Sequence, residues 1–556
     1  MRCFHGAVFV SLLMNLWACS SGSVSQLRSL QSIGVYRPLA DYDQQLRLKV
    51  EGRFIVNGKG EKVRLKGVAF GNQVWANTRI PTQHHNEKDF KRLKDMGFNS
   101  IRFYLNYHTF ESDSAPYQYH QSGWDWLDKN VQWAEKHGIY LVLNIHVPQG
   151  GFQSNGAGDA LWDKRDNQLR LISLWQAIAK RYQGHPNVAA LDLLNEPVTT
   201  HSKQQWERLA NELVTAIRQV NSQQMIFVER LLAVKNQWQL DEQQNFFKLN
   251  DPNIVYQYHF YEPMAFSHQQ ASWLRQYQTP TYYPDLQRLK VVGSPRWYGA
   301  QFDNPIVSSN NDWQYIEGKK LQYKDPNVDL IYPALVSANN AGDSWFKQVV
   351  INEYAPDGKQ LLREINIDLS QQAGWYLWSA NQRGRSQHFR QAGEDVLQIS
   401  ATSSDANNGS SQQFVVPKAD HYYQISGWIK TQGTGLASRV QLRLDFQHGV
   451  KDIVAWDKPL IKTLIEPIER WGEQQQVPLY LGEFGCIRAC FEQQRGGLQW
   501  ISDVLDVVDE YQTHFNFHSY HEDAFALYYG SGKLPRETDS NKALIHWFSD
   551  RLSKGE

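Results

Sequence analysis

The sequence predicts an α/β fold, a (β/α)8 TIM barrel interrupted after its sixth strand by a jelly-roll-like β-sandwich. Three observations predict it. Over residues 63–260, short apolar runs alternate with segments of helical periodicity, the pattern of parallel strands covered by helices. Over roughly 295–449 that rhythm gives way to short alternating segments rich in Gly, Asn, Ser and aromatic residues, such as 345–352 and 422–430, which read as antiparallel strands. Over 458–552 the first rhythm resumes, and six strands before the interruption plus two after it close an eight-stranded barrel.

Taken in order, residues 53–63 form a hairpin around the glycine-rich turn Asn57-Gly58-Lys59-Gly60, suited to plug the bottom of the barrel. Strands are expected at 63–70, 99–105, 140–146, 188–194, 225–229 and 254–260. They are rich in apolar residues and too short for helices, as strands buried on both faces require. Helices are expected at 86–96, 124–137, 163–182 and 203–220. After the interruption come helix 458–473, strand 477–482, helix 496–511, strand 515–520 and helix 541–552. The chain accordingly divides into a signal at 1–19, a tether at 20–45, a first barrel part at 46–294, the inserted sandwich at 295–449 and a second barrel part at 450–556. Such an insertion is tolerable because the ends of a domain tend to lie close together.

At 556 residues the chain exceeds one ordinary domain. Its 57 basic and 57 acidic residues balance, which argues against nucleic acid or an anionic surface as partner. No glycine-rich phosphate loop follows a strand, so no nucleotide cofactor is expected. The 20 Trp and 27 Tyr fill cores, and they also suit sugars, whose apolar faces stack on flat rings. The start of the chain reads as an export signal: Arg2, an apolar run at 7–17, then Leu16-Trp17-Ala18-Cys19. It resembles a bacterial lipoprotein signal, which implies Cys19 as the lipidated first residue of the mature protein. By the same resemblance, Ser20 favours outer-membrane delivery, with 20–45 as a tether. Cys486 and Cys490 then remain. An exported location permits them to bridge, and their spacing also suits two free thiols or metal ligands without evident partners; a small local disulfide behind the Glu483 strand is the favoured reading.

Two strand ends carry the chemistry. The apolar run from residue 187 ends abruptly in Asn195-Glu196-Pro197, and the run from 478 ends in Glu483-Phe484-Gly485. By the strand count, Glu196 ends strand four and Glu483 strand seven. Carboxylates at the same end of different parallel strands are what glycoside hydrolysis needs, one as proton donor and one as nucleophile. A polar residue at a strand exit is unremarkable by itself; two such glutamates in matching contexts are not.

The motifs Ile101-Arg102, Asn144-Ile145-His146, Asn195-Glu196-Pro197, His259-Phe260-Tyr261 and Gly482-Glu483-Phe484-Gly485 resemble those of the cellulase family, glycoside hydrolase family 5. The resemblance runs from about residue 46 to Tyr261 and from 457 to the end, omitting the inserted block. It implies a retaining double displacement with Glu196 as acid/base and Glu483 as nucleophile. An ionised Glu483 favours the protonated form of Glu196 until the glycosyl-enzyme forms. By the same resemblance Arg102 holds Glu483 ionised and aimed, Asn195 bonds the sugar 2-hydroxyl, and Tyr261 donates to Glu483. His259 orients the acid/base, and His146 lines the subsite at the cleaved bond. The family's tryptophan at the end of strand eight is absent here, where the chain reads Phe515-Asn516-Phe517-His518-Ser519-Tyr520. His518 or Tyr520 is expected in its place, and Trp75, near the end of strand one, as a stacking surface elsewhere in the cleft.

Within the inserted block, the stretches around Trp375, Trp378, Trp428 and Asp445 resemble the first half of jelly-roll carbohydrate-binding modules. Those around Trp313, Asn340 and Trp345 resemble the second half yet come earlier, as in a circular permutation; a structural lid bordering the cleft, with no sugar site of its own, is the alternative. The reading as a whole is an exported, lipid-anchored, monomeric retaining β-glycosidase acting on a β-linked glucan, with mannan or β-1,3-glucan as alternatives. It needs no metal or organic cofactor and meets the membrane only through its lipid. A non-catalytic surface glycan-binding protein is the rival of another class.

Overall fold

The computed structural model describes Gly34, Tyr36 and residues 43–553 except 77, 236–244, 275–276, 294–295, 309–310, 371–374, 378–383, 402–408, 412, 434, 436–437 and 450–451. Cys19, the signal, most of the tether, and Trp378 lie outside the described residues, as does the side chain of Trp375. Among the described residues no helix is long and apolar enough to cross a membrane.

The first compact unit is a closed, all-parallel barrel of eight strands. They are β1 (Lys66–Phe70), β2 (Ser100–Asn106), β3 (Tyr140–Val147), β4 (Val188–Asp192), β5 (Met225–Glu229), β6 (Ile254–Phe260), β7 (Leu479–Phe484) and β8 (His514–Phe517). Each pairs with its neighbours in sequence, and β8 closes on β1 through Phe515 to Phe517 opposite Lys66 to Val68. The expected six-plus-two count is the one observed. Helices α1 (Glu87–Asp95), α2 (Gln121–His137), α3 (Arg165–Arg181), α4 (Lys203–Val220), α5 (Lys458–Gln475), α6 (Gly497–Glu510) and α7 (Lys542–Ser553) follow the strands. Local chemistry sets their ends. Asn86 and Asp89 make a reciprocal capping box at the start of α1, and α2 stops at Gly138, whose φ of 62° suits glycine.

Successive side chains along a strand alternate between the barrel interior and the helix layer, so residues two apart share a face. The lower end is sealed by Leu48 and Ile55, packed with Leu65, Ala189, Met225, Phe227 and Val255. The hairpin there differs in detail from expectation. Lys49–Glu51 pairs with Phe54–Val56 across Gly52, and a second turn joins Val56 to Lys62 by one bridge. The Asn57 side chain shapes that turn by accepting the N–H groups of Lys59 and Glu61.

The second unit spans Gln270–Pro280 and Asp285–Leu460. It is antiparallel throughout: a five-stranded sheet centred on Leu330–Ala338 and Arg439–His448, and a seven-stranded one centred on Gly342–Tyr354 and Tyr422–Gln432. Leu335, Phe346, Ile351, Leu397, Ile425 and Leu442 belong to its buried core. The boundaries expected at 295 and 449 are too narrow. Asp285–Val292 and Asp452–Trp456 pair as an antiparallel ribbon, so the two ends of the insertion hold each other outside the segment whose composition marked it.

Candidate active site

The upper ends of the strands bring a cluster of polar residues together. Along β2, Arg102 and Tyr104 are two apart and face inward, while Ile101, Phe103 and Leu105 are buried in the helix layer. The same period places Asn144 with His146 on β3, and Gln257, His259 and Tyr261 on or just after β6.

Glu483 is the most heavily held. Its Oε1 accepts from Arg102 Nη1 at 2.7 Å and from the Tyr104 hydroxyl at 2.6 Å, and its Oε2 accepts from the Tyr261 hydroxyl at 2.8 Å. Burial works against its charge, yet the surrounding positive groups, His259 and Arg102 among them, keep it well below the usual carboxylate range. Burial and the neighbouring carboxylate push both tyrosines well above their ordinary range, so both remain donors.

Glu196 follows β4 by a short turn, with φ of 42°, a left-handed conformation uncommon outside glycine. Its N–H donates to Glu229 Oε2 at 2.9 Å and the Asn195 N–H to the Ile145 carbonyl, which pins this strained turn from both sides. The side chain meets His259 Nδ1 at 2.8 Å through Oε1. The same histidine lies 3.6 Å from Glu483 Oε2 and 3.4 Å from Glu229 Oε1. Burial lowers the His259 pKa, but Glu229, Glu483 and Glu196 outweigh it and raise it overall.

Arg102 is fully buried and joins these parts. Besides Glu483 it donates to Asp192 Oδ2 at 2.7 Å and to Asn195 Oδ1 at 3.0 Å, and it stands 3.8 Å from Glu229. A buried guanidinium is stable only when its donors are met in this way. Behind it, burial first, then the charge of Glu196, pushes Glu229 up to about 8.

The expected residues divide as follows. Arg102, His146, Asn195, Glu196, His259, Tyr261, Glu483 and His518 converge. His146 stacks on Tyr104 with centroids 4.0 Å apart, and His518 Nδ1 lies 3.1 Å from the Tyr104 hydroxyl. Burial pushes both histidines down, which favours their neutral rings. Trp75 stays 47% exposed, its ring edge-on to His146 and His518.

Tyr520 is a correction. It is fully buried, bonds Asp89 Oδ1 of α1 at 2.6 Å and packs on Phe70, so it belongs to the layer between barrel and helix. Two residues beyond His518, it does not share that residue's face because the chain has left the β8 ladder after Phe517. Cys486 and Cys490 are disulfide-bonded just beyond Glu483.

Sequence reasoning missed Tyr104, Asp192 and Glu229. Tyr104 had a signal, since it lies two residues beyond Arg102; Asp192 and Glu229 had a weaker one, as acids ending apolar strands. Glu196, His259 and Glu483 are also the one set of metal-type groups that converges among the described residues, within 4.8 Å of one another. Arg102 supplies the positive charge that such a cluster would otherwise draw from a cation.

An eight-stranded parallel barrel with two carboxylates at the ends of β4 and β7, one clamped by an arginine and two tyrosines, defines a barrel of the paired-carboxylate class. Residues 56–321 match the family model for cellulase, glycosyl hydrolase family 5. That stretch, which holds the first six barrel strands, belongs to that family. Endoglucanase C of Acetivibrio thermocellus is 32% identical over 187 residues, 34% of this chain and 53% of that protein. Cellodextrinase A of Ruminococcus flavefaciens is 28% identical over 188 residues, 34% of this chain and 54% of its own. Endoglucanase 3 of Fibrobacter succinogenes is 25% identical over 319 residues, 53% of this chain and 45% of its own. The chain thus spans about half the length of the curated relatives it matches.

Proposed function

We propose that the protein is a retaining β-glycoside hydrolase acting on a β-linked glucan in the manner of an endo-β-1,4-glucanase. The observation that carries the reading is the asymmetry of the two carboxylates. Glu483 is held ionised by three donors, while Glu196 meets His259. An oxygen of each lies within 4.8 Å of the other, in keeping with the close pair of a retaining enzyme.

In the first step Glu483 attacks the anomeric carbon while Glu196 gives its proton to the departing glycosidic oxygen. A covalent glycosyl-enzyme and a free sugar end result. In the second, Glu196 takes a proton from water, whose oxygen attacks the same carbon and releases Glu483. Arg102 fixes Asn195 Oδ1 and one Asn195 amide N–H meets Ser154 Oγ at 3.3 Å, so the other N–H can donate to the sugar 2-hydroxyl. No metal or organic cofactor enters this scheme, because the two carboxylates supply the chemistry.

The names of the relatives, endoglucanase and cellodextrinase, favour glucan over mannan or β-1,3-glucan. A reducing-end assay across cellulosic, mixed-linkage, β-1,3-glucan and mannan substrates tests the reading, with Glu483→Gln as control. Release of no sugar from any of them would leave the glycan-binding alternative.

Export and lipid anchoring at Cys19 complete the proposal and rest on residues 2–19. Cys19→Ala should remove the protein from the membrane fraction or leave it unprocessed; wild-type protein recovered soluble, starting at another residue, would exclude it.

A further inference from the structure

A third carboxyl group stands in the cleft without a task in the scheme above. After β8 the chain turns back: the Tyr520 N–H donates to the Ala69 carbonyl at the end of β1, and His521–Glu522 pairs with Tyr528–Tyr529. This fixes the backbone of Glu522 and lays its carboxyl on Gly71. The fit is close enough that a Cβ on Gly71 would collide with Glu522 Oε1, and the same Cβ would touch the Trp75 ring at 3.1 Å. The Glu522 carboxyl and the Trp75 indole therefore flank one shelf of bare backbone.

Glu522 Oε1 is cut off from solvent and has no hydrogen-bond partner among the described residues. Buried carboxyl oxygens are nearly always satisfied, and one left open beside a cleft is a place prepared for a ligand's polar group. Burial, then the like charges of Glu483 and Asp523, pushes Glu522 well above the usual carboxylate range. That favours its protonated form, which can both donate and accept a hydrogen bond.

Its position picks the side of the scissile bond. Trp75 stands edge-on to Tyr104, whose hydroxyl donates to Glu483, and to His146 and His518 around that same nucleophile. The sugar that becomes covalently attached must stand over Glu483, whereas the leaving group lies toward Glu196. The half-exposed indole offers that sugar a flat apolar surface, and the Glu522 carboxyl lies at its edge.

We propose that Glu522 is a substrate-binding residue that selects the glycone sugar, its carboxyl exchanging a hydrogen bond with one ring hydroxyl of the sugar seated against Trp75. This rests on the glycosidase reading above and extends it to a specificity determinant.

The test compares kcat/KM of wild type, Glu522→Ala and Glu522→Gln on the dinitrophenyl β-glycoside that wild type turns over best. The same glycoside deoxygenated at position 3, 4 or 6 of the sugar at the cleaved bond completes the set. Wild type should lose roughly 10- to 100-fold on one of the three deoxy substrates. Glu522→Ala should lose a similar factor on the parent and show no further loss on that same deoxy substrate. Glu522→Gln, which keeps a donor and an acceptor in the same volume, should stay within a few-fold of wild type. Loss by Glu522→Ala in equal measure on all four substrates, or on none, overturns the proposal, as does a Glu522→Gln variant as poor as the alanine. A wild type that hydrolyses no aryl or polymeric β-glycoside defeats the glycosidase reading and this inference with it. That outcome is told apart because wild type itself is then inert.

Discussion

The Tyr104 hydroxyl lies 2.6 Å from Glu483 Oε1, the oxygen that Arg102 also holds at 2.7 Å. One carboxylate oxygen thus carries two strong donors from the same strand, spaced two residues apart. Tyr104→Phe removes one of them without disturbing the ring that stacks on His146. A hydrogen bond to the ionised form lowers a carboxyl pKa, so deleting it raises the Glu483 pKa. The acidic limb of the kcat/KM profile should therefore move to higher pH. The plateau should fall roughly 10- to 100-fold, the factor set by one hydrogen bond to a charged group. An unmoved acidic limb would mean that the hydroxyl does not support the charge.

Replacing each glutamate of the pair should separate their roles. Glu483→Gln leaves nothing to form the covalent intermediate, so any turnover that azide restores must come from direct displacement and give a glycosyl azide of inverted configuration. Glu196→Gln should lose roughly 10²- to 10⁴-fold on substrates with poor leaving groups. On an activated aryl glycoside it should still form the intermediate, which azide then releases as a glycosyl azide of retained configuration. Azide rescue of neither variant, together with a third essential carboxylate, would remove the assignment.

Arg102 faces Asp192, Glu483 and Glu229 with no solvent around it. Arg102→Met leaves those acids without their buried counter-charge, and breaking such a pair costs about 3–5 kcal/mol. The pH dependence has a definite sign. Glu483 is held below its unfolded pKa, so its contribution to stability is present above the ordinary carboxylate range and is lost as pH falls through the lower folded value. The variant lacks much of that contribution. Its deficit against wild type in denaturant unfolding should be largest near neutral pH and should narrow in acid. A gap that stays constant from neutral to acid pH would contradict the linkage.

Tyr520 and His518 stand two residues apart but do different work. Tyr520→Phe removes the hydroxyl from Asp89, which keeps its bonds to Arg92 and to the Asn86 N–H. A loss of about 1–2 kcal/mol in unfolding free energy is expected, with kcat/KM unchanged. A selective rise in KM for the folded variant would return Tyr520 to the cleft.

Much of this was readable from the chain because local patterning and barrel geometry coincide. Apolar runs of strand length alternating with helical segments specify parallel strands covered by helices, and a count of eight specifies closure. Glu196 and Glu483 could be found because each ends such a run, where the barrel builds its site. Tyr104 lay within reach of the same logic through its two-residue spacing from Arg102. The insertion boundaries were misread because the Asp285–Val292 and Asp452–Trp456 ribbon has no composition that sets it apart; it exists through pairing across a long stretch of chain.

The sequence by itself determined the barrel, the sandwich and the two carboxylates proposed to react, since these follow from periodicity and from residue type at strand ends. Only the tertiary structure decided that Asp192, Asn195 and Glu483 share one guanidinium, that Tyr520 faces a helix, and that Glu522 meets Gly71 beside Trp75. Those relations join residues on or just after β2, β4 and β7, or in the segments that follow β1 and β8, from 90 to 431 positions apart among the hydrogen-bonded pairs. Closure of the barrel brings them to within a hydrogen bond's length, a convergence that no local pattern encodes.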